Sequence, residues 1–281
     1  MTNGVVLFAF NNQSIDYVKQ AIYCAKRVKT HLNLPVQLIT SGIEYIKSEY
    51  PFYNNYIDEL TYARAPVGST KTFHDGIYHK RKLDWKNNIR DSAYELSIFD
   101  KTIVLDTDFL VFNDKLLQCF STSEDFMIAK DYNLINNNKP PVFDRITDKT
   151  IPMYWATVIY FTKSDTAKTV FDLVGHIKEN YNYYRLVYDI AESKFRNDYA
   201  FSIAVHMMRG FVEDSIWPKD MPGDMWVSTD KDVLVDINAY NVKLLAHRNY
   251  DYLAVKLKDA NIHVMNKFSL NTFIDMEFSN E

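Results

Sequence analysis

The chain has 281 residues, 47% of them hydrophobic and 24% charged, with a formal net charge of -4. That apolar content excludes a disordered chain and suits one large globular core. The acidic balance excludes a nucleic-acid binder working through a global positive field, while leaving room for a local basic groove.

Cys24 and Cys119 stand at no motif spacing and read as reduced core thiols. The start lacks a basic region before its apolar run, so it does not read as a secretory signal. No stretch approaches the roughly 18 apolar residues of a membrane span. The expectation is a soluble, cytoplasmic protein with no membrane partner.

Residues 5–10 form a short continuous apolar run, the pattern of a strand buried on both faces. Asn11-Asn12-Gln13-Ser14 supplies turn and N-cap residues, and from Ile15 the apolar positions Val18, Ile22, Ala25 and Val28 recur at helical spacing. Residues 35–40 read as a second strand, which completes a βαβ unit and predicts a parallel sheet. Residues 41–70 are mixed and aromatic, without a clear period.

Residues 91–99 read as a helix with Ala93, Leu96 and Ile98 toward the core, and residues 103–105 as a buried strand. Further strands are expected at 126–129 and 156–161, helices at 164–181 and 197–208, and short apolar runs at 244–246 and 262–265. No repeat or linker interrupts the chain. The expectation is one domain over 1–281, with a nucleotide-binding half at about 1–112 and an acceptor half at about 113–281.

A bare D-x-D carries little in an aspartate-rich chain, and Asp230-Lys231-Asp232 is a second instance. Asp106 and Asp108 differ in context: they follow Ile103-Val104-Leu105 and precede Phe109-Leu110-Val111-Phe112, interrupting an otherwise apolar strand. Burying an unpaired carboxylate is costly, so such a pair calls for a cation. Alternate strand residues point the same way, which lets both carboxylates reach one divalent ion. The other reading is that one caps a turn while its neighbour pairs with a Lys or Arg.

From Arg90-Asp91-Ser92 through Asp106-Thr107-Asp108, the chain resembles the helix, link and D-x-D strand of GT-A glycosyltransferases. Its pattern is nearest the glycogenin-like family 8 enzymes, and it is similar to small phage-encoded glycosyltransferases. Three later stretches follow in the family's order. Residues 155–161 resemble the strand beneath the donor sugar, with Trp155, Ala156 and Thr157 where Asn and Gly are usual. Asn197-Asp198-Tyr199 resembles the "D-Q-x" helix start, with Tyr for Gln. Residues 262–267 resemble the late "H-x-x-G-x-K" segment, without its glycine and with Lys267 one position early.

The resemblance implies a Rossmann-like α/β fold with a mixed, mainly parallel central sheet flanked by helices. It implies Mn²⁺ or Mg²⁺ on Asp106, Asp108 and His263, and a UDP-sugar donor. Thr107 and the end of the first strand (Phe10, Asn11) would contact that donor, and Lys267 its pyrophosphate. Asp198 would act at the donor sugar or reacting carbon; read alone, it is equally a helix N-cap. The implied activity is hexosyl or pentosyl transfer.

Between 71 and 90, Lys71, Lys80, Arg81, Lys82, Lys86 and Arg90 outweigh Asp75 and Asp84, with Phe73, Tyr78 and Trp85 interleaved. This is either a solvated loop and helix face or a clamp on the pyrophosphate, for which one or two of Lys82, Lys86 and Arg90 suffice. Surplus charge would suit a phosphate-bearing acceptor, and likeness to phage enzymes suggests a hydroxymethylated base in DNA. A saccharide or glycolipid acceptor is the alternative. A nucleotidyltransferase is a rival class, although this glycine-poor chain shows no Gly-rich phosphate loop. So is a non-catalytic binding protein.

Overall fold

The computed structural model describes residues 2–136, 144–147, 150–212 and 216–279. The chain opens with β1 (Asn3–Ala9), α1 (Tyr17–Leu32), β2 (Val36–Thr40), α2 (Ile43–Glu49) and β3 (Glu59–Tyr62). The apolar period puts one face of α1 on β1 and β2, and the caps set its ends. Asp16 accepts the Lys19 N–H at 2.9 Å, so the helix starts two residues after Ile15, and Asn33 closes it in the left-handed conformation.

Next come a hairpin of β4 (Ser69–Asp75) and β5 (His79–Trp85), one-turn α3 (Ala93–Leu96), β6 (Lys101–Leu105), β7 (Phe109–Leu110), β8 (Phe126–Ala129) and β9 (Asn133–Leu134). After these run β10 (Trp155–Thr162), α4 (Asp165–Glu179), α5 (Tyr181–Val187) and α6 (Asn197–Met208). The last part comprises β11 (Met225–Ser228), β12 (Val233–Ile237), β13 (Asn241–Arg248), β14 (Asp251–Lys258), β15 (Asn261–Val264) and α7 (Lys267–Phe278).

The central sheet has the order β3-β2-β1-β6-β10-β8. β3, β2, β1 and β6 are parallel, and β10 runs antiparallel to both its neighbours. This is the expected mixed, mainly parallel α/β sheet flanked by helices. β1, β2 and β10 are buried almost throughout, because helices cover both faces. A second sheet, β7-β15-β11-β9, adjoins the first, and β12-β13-β14 forms a separate antiparallel sheet.

Three expectations need correction. The helix expected over 91–99 is a 3-10 turn at Arg90–Ser92 followed by α3, and Ile98 is 57% exposed. The basic segment is a hairpin rather than a loop and helix face. Asp106 and Asp108 do not interrupt one strand: β6 ends at Leu105 in the central sheet, and β7 pairs with β15 in the second. The aspartates lie in the turn that crosses between the two sheets.

Candidate functional site

Backbone bonds hold the aspartate turn. The Asp106 N–H donates to the Thr157 carbonyl on β10 at 2.9 Å, and the Phe109 N–H closes back on the Asp106 carbonyl at 3.0 Å. Behind it, the buried Cys24 thiol donates to the Phe109 carbonyl at 3.2 Å. Pairing of β7 with β15 sets Phe109 opposite His263, and the Val264 N–H donates to the Asp108 carbonyl at 2.9 Å. The two sheets thereby bring residues from distant parts of the chain to one point.

One ligand atom each from Asp106, Asp108 and His263 lies within 4.8 Å of the others. His263 Nε2 is 3.0 Å from Asp108 Oδ2 and 3.9 Å from Asp106 Oδ2. Its Nδ1 faces the Thr157 hydroxyl at 3.4 Å, which orients the ring. Burial lowers the imidazole below its ordinary value, against the pull of Asp106 and Asp198, and so favours the neutral, ligating form. Two carboxylates and a neutral imidazole are a donor set that fits Mn²⁺ or Mg²⁺.

Fixed cations surround these groups. Arg90 donates to Asp106 and, at 2.8 Å, to the Ala156 carbonyl; Lys267 at the start of α7 pairs with Asp108. Burial opposes ionisation of Asp106, but the charge of Arg90, and after it that of Lys267, holds its carboxyl below the usual range. Burial pushes Lys267 down to about 7 and Lys71, whose ammonium lies 4.6 Å over the Trp85 ring, down to about 8.

These groups line a cavity of about 140 Å³, with the hairpin supplying Lys71, Phe73 and Trp85. Of the residues expected from sequence, it gathers Arg90, Asp106, Thr107, Asp108, Asp198, His263 and Lys267. Asp198 accepts the Ala156 N–H at 3.0 Å and pairs with Arg196 at 3.0 Å. It is not the N-cap of α6, which is Arg196.

Phe10, Asn11, Lys82 and Lys86 lie outside this lining. Phe10 is buried in the core, its backbone tied to the Asn87 side chain. Asn11 is committed to the start of α1, donating to Asp16 and accepting from the Val18 N–H at 2.9 Å, and borders a neighbouring cleft of about 770 Å³. Lys82 is exposed on the face of β5 opposite Trp85, by strand alternation, and Lys86 is half-buried just beyond the strand.

No protein-family model matches the sequence, and no curated protein matches it. Solved structures are similar in fold. The glycosyltransferase GlyE of Streptococcus pneumoniae TIGR4 has 13% identity and a TM-score of 0.43, over 74% of this chain and 43% of GlyE. The galactosyltransferase LgtC, in complex with donor and acceptor sugar analogues, has 14% identity and a TM-score of 0.45, over 72% of this chain and 70% of LgtC. The bifunctional IspDF of Campylobacter jejuni has 12% identity and a TM-score of 0.37, over 72% of this chain and 47% of that one. The matched region is thus less than half of GlyE and of IspDF. These likenesses are loose, and the reading of the site rests on its own geometry.

Sequence reading missed several lining residues. Tyr17 Oη and Asn197 Oδ1 border the cavity, and neither has a hydrogen-bond partner among the described residues. The Asn197 amide nitrogen donates to the Asn87 carbonyl at 3.1 Å, so its oxygen is left over. Tyr17 begins α1 and reads there as one more apolar-face residue. Asp230 belongs to the second D-x-D and also lines the cavity.

Proposed function

We propose that the chain is a metal-dependent glycosyltransferase that moves a hexose or pentose from a nucleoside-diphosphate sugar to an acceptor hydroxyl. The carrying observation is the charge pattern around the Asp106–Asp108–His263 cluster. Lys71, Arg90, Arg196 and Lys267 face Asp106, Asp108, Asp198 and Asp230 across one cavity. With the histidine neutral these formal charges cancel. A divalent cation leaves a surplus that a dianionic sugar diphosphate matches.

Parallel β1, β2 and β6 end along one edge of the sheet, where open α/β sheets take ligands. The 770 Å³ cleft lies at the ends of β1 and β2 and has the size of a nucleoside site. Uridine is the nucleoside that the sequence resemblance implies. Asp106, Asp108 and His263 would hold Mn²⁺ or Mg²⁺, which when bound supplies Lewis-acid stabilisation of the leaving diphosphate. Arg90 and Lys267 donate to phosphate oxygens. Asp198, held by the Ala156 N–H and Arg196, faces the transferred sugar and accepts from its hydroxyls. The acceptor oxygen bonds to the anomeric carbon as the bond from that carbon to the phosphate oxygen breaks. The electron pair leaves on the diphosphate, and the hydroxyl proton follows it.

A panel of nucleotide sugars with and without Mn²⁺ tests this reading by thermal shift and by slow hydrolysis. The expected result is stabilisation by one nucleotide sugar that requires the metal, with release of nucleoside diphosphate that disappears in Asp108→Ala. Release of inorganic pyrophosphate from a nucleoside triphosphate and a sugar phosphate would instead make the chain a nucleotidyltransferase. Among the described residues no helix is long and apolar enough to cross a membrane.

A further inference from the structure

The hairpin separates the 140 Å³ cavity from a second one of about 260 Å³. Lys71, Trp85 and Arg196 border both, and beyond them the second is walled by Glu192, Lys194 and Phe195. Its walls are built. The Glu192 carboxylate accepts the Lys194 N–H at 3.0 Å, and the Glu192 carbonyl takes the Tyr181 hydroxyl at 3.3 Å. Phe195 packs edge-on to Tyr181, with ring centroids 5.5 Å apart.

We propose that this second cavity is the acceptor subsite and that its occupant is a pyranose ring of a saccharide. The inference rests on the donor reading of the first cavity. The reactive hydroxyl passes between Lys71 and Arg196 to the anomeric carbon. A pyranose presents C–H faces and a rim of hydroxyls. Trp85 and Phe195 offer apolar rings to the faces, while the Glu192 carboxylate and Lys194 ammonium accept from and donate to the rim. The space lies below the roughly 300 Å³ at which drug-sized pockets begin, which suits one ring rather than an extended chain.

The charge layout favours a saccharide over a nucleic acid. An extruded base needs a track of cations for the flanking phosphates. The hairpin's cations do not form one. Lys71 turns into the cavity, and Arg81 turns toward the neighbouring cleft, where its guanidinium lies 5.2 Å over the Phe268 ring. Lys80 and Lys82 are exposed, on the opposite face by strand alternation. The basic excess read from the sequence is thus divided between two faces, and Glu192 adds a negative charge to the second cavity.

The test is equilibrium binding by saturation-transfer NMR on the full chain, with and without UDP and Mn²⁺. The probes are methyl pyranosides of glucose, galactose, mannose and N-acetylglucosamine, and a single-stranded oligonucleotide carrying hydroxymethylcytosine. The expected result is binding of at least one pyranoside, weakened about tenfold in both Glu192→Gln and Phe195→Ala. Glu192 is exposed, so its variant keeps the fold, and Phe195→Ala then checks the ring contact. The proposal is overturned if no pyranoside binds, or if both variants bind it like the parent chain. Oligonucleotide binding that falls steeply as salt rises overturns it too. Pyranoside binding in a chain that ignores UDP and Mn²⁺ would sink the donor reading and leave the ligand class of this cavity standing.

Discussion

Arg90→Met removes the guanidinium that joins the aspartate turn to β10. Arg90 is 5% exposed and donates both to Asp106 and to the Ala156 carbonyl. Methionine fills similar space without charge. Breaking a buried pair by deleting one partner costs about 3–5 kcal/mol, and the lower end applies because Asp106 keeps part of its side chain in water. Leaving the Ala156 carbonyl without its donor adds about 1 kcal/mol. At roughly 2 °C per kcal/mol for a chain of this size, the expected fall in Tm is about 8 °C at pH 7. Asp106 is depressed in the folded state, so its stabilisation is present above the unfolded carboxylate value and is lost as pH falls through the folded one. The gap between parent and variant therefore narrows in acid. Calorimetry from pH 7 down to pH 3 measures both effects. A Tm within about 2 °C of the parent at pH 7, or a gap that stays constant into acid, would refute the assignment of Arg90 as the counter-charge of Asp106.

Lys71 carries the opposite sign. Its folded value of about 8 lies below the ordinary 10.5, so the unfolded chain binds more protons between these limits and stability rises with pH there. Lys71→Met is expected to raise Tm at pH 7, by an amount that shrinks as pH climbs from 8 toward 10.5; a gain independent of pH would count against it. Gly4→Ala drives a Cβ into the Phe99 ring. Overpacking of that kind costs about 1–3 kcal/mol, which a urea melt resolves and an unchanged midpoint would contradict. Asp198→Asn keeps an acceptor for the Ala156 N–H but removes the counter-charge of Arg196, so Tm should fall by about 2–4 °C while transfer falls about a hundredfold. Loss of stability without loss of transfer would make Asp198 a structural residue.

Much of the central sheet was legible because its strands are short apolar runs with β-branched residues, and α1 and α4 show a clear helical period. Segment 126–129 coincides with β8, and 197–208 with α6. The hairpin was not legible. Lys71, Phe73 and Trp85 turn to the cavity while Lys80 and Lys82 face away, and the mixture of charge and aromatic residues hides the two-residue period. Asn11 entered through the resemblance alone, and the period of the chain does not show that its side chain serves the backbone at the start of α1 while bordering the cleft beside β1 and β2.

By itself the sequence placed two carboxylates directly after the buried run 103–105 and required a counter-charge for them, because burying an unpaired carboxylate is costly. It could not show which cation or which partners. Only the tertiary structure decided that the two aspartates lie where the chain leaves one sheet for another, with Thr157, His263, Lys267 and Arg90 converging there. The reason is physical. Periodicity records which face of an element is apolar, a local property, whereas the partners of a buried charge come from whichever distant elements pack against it.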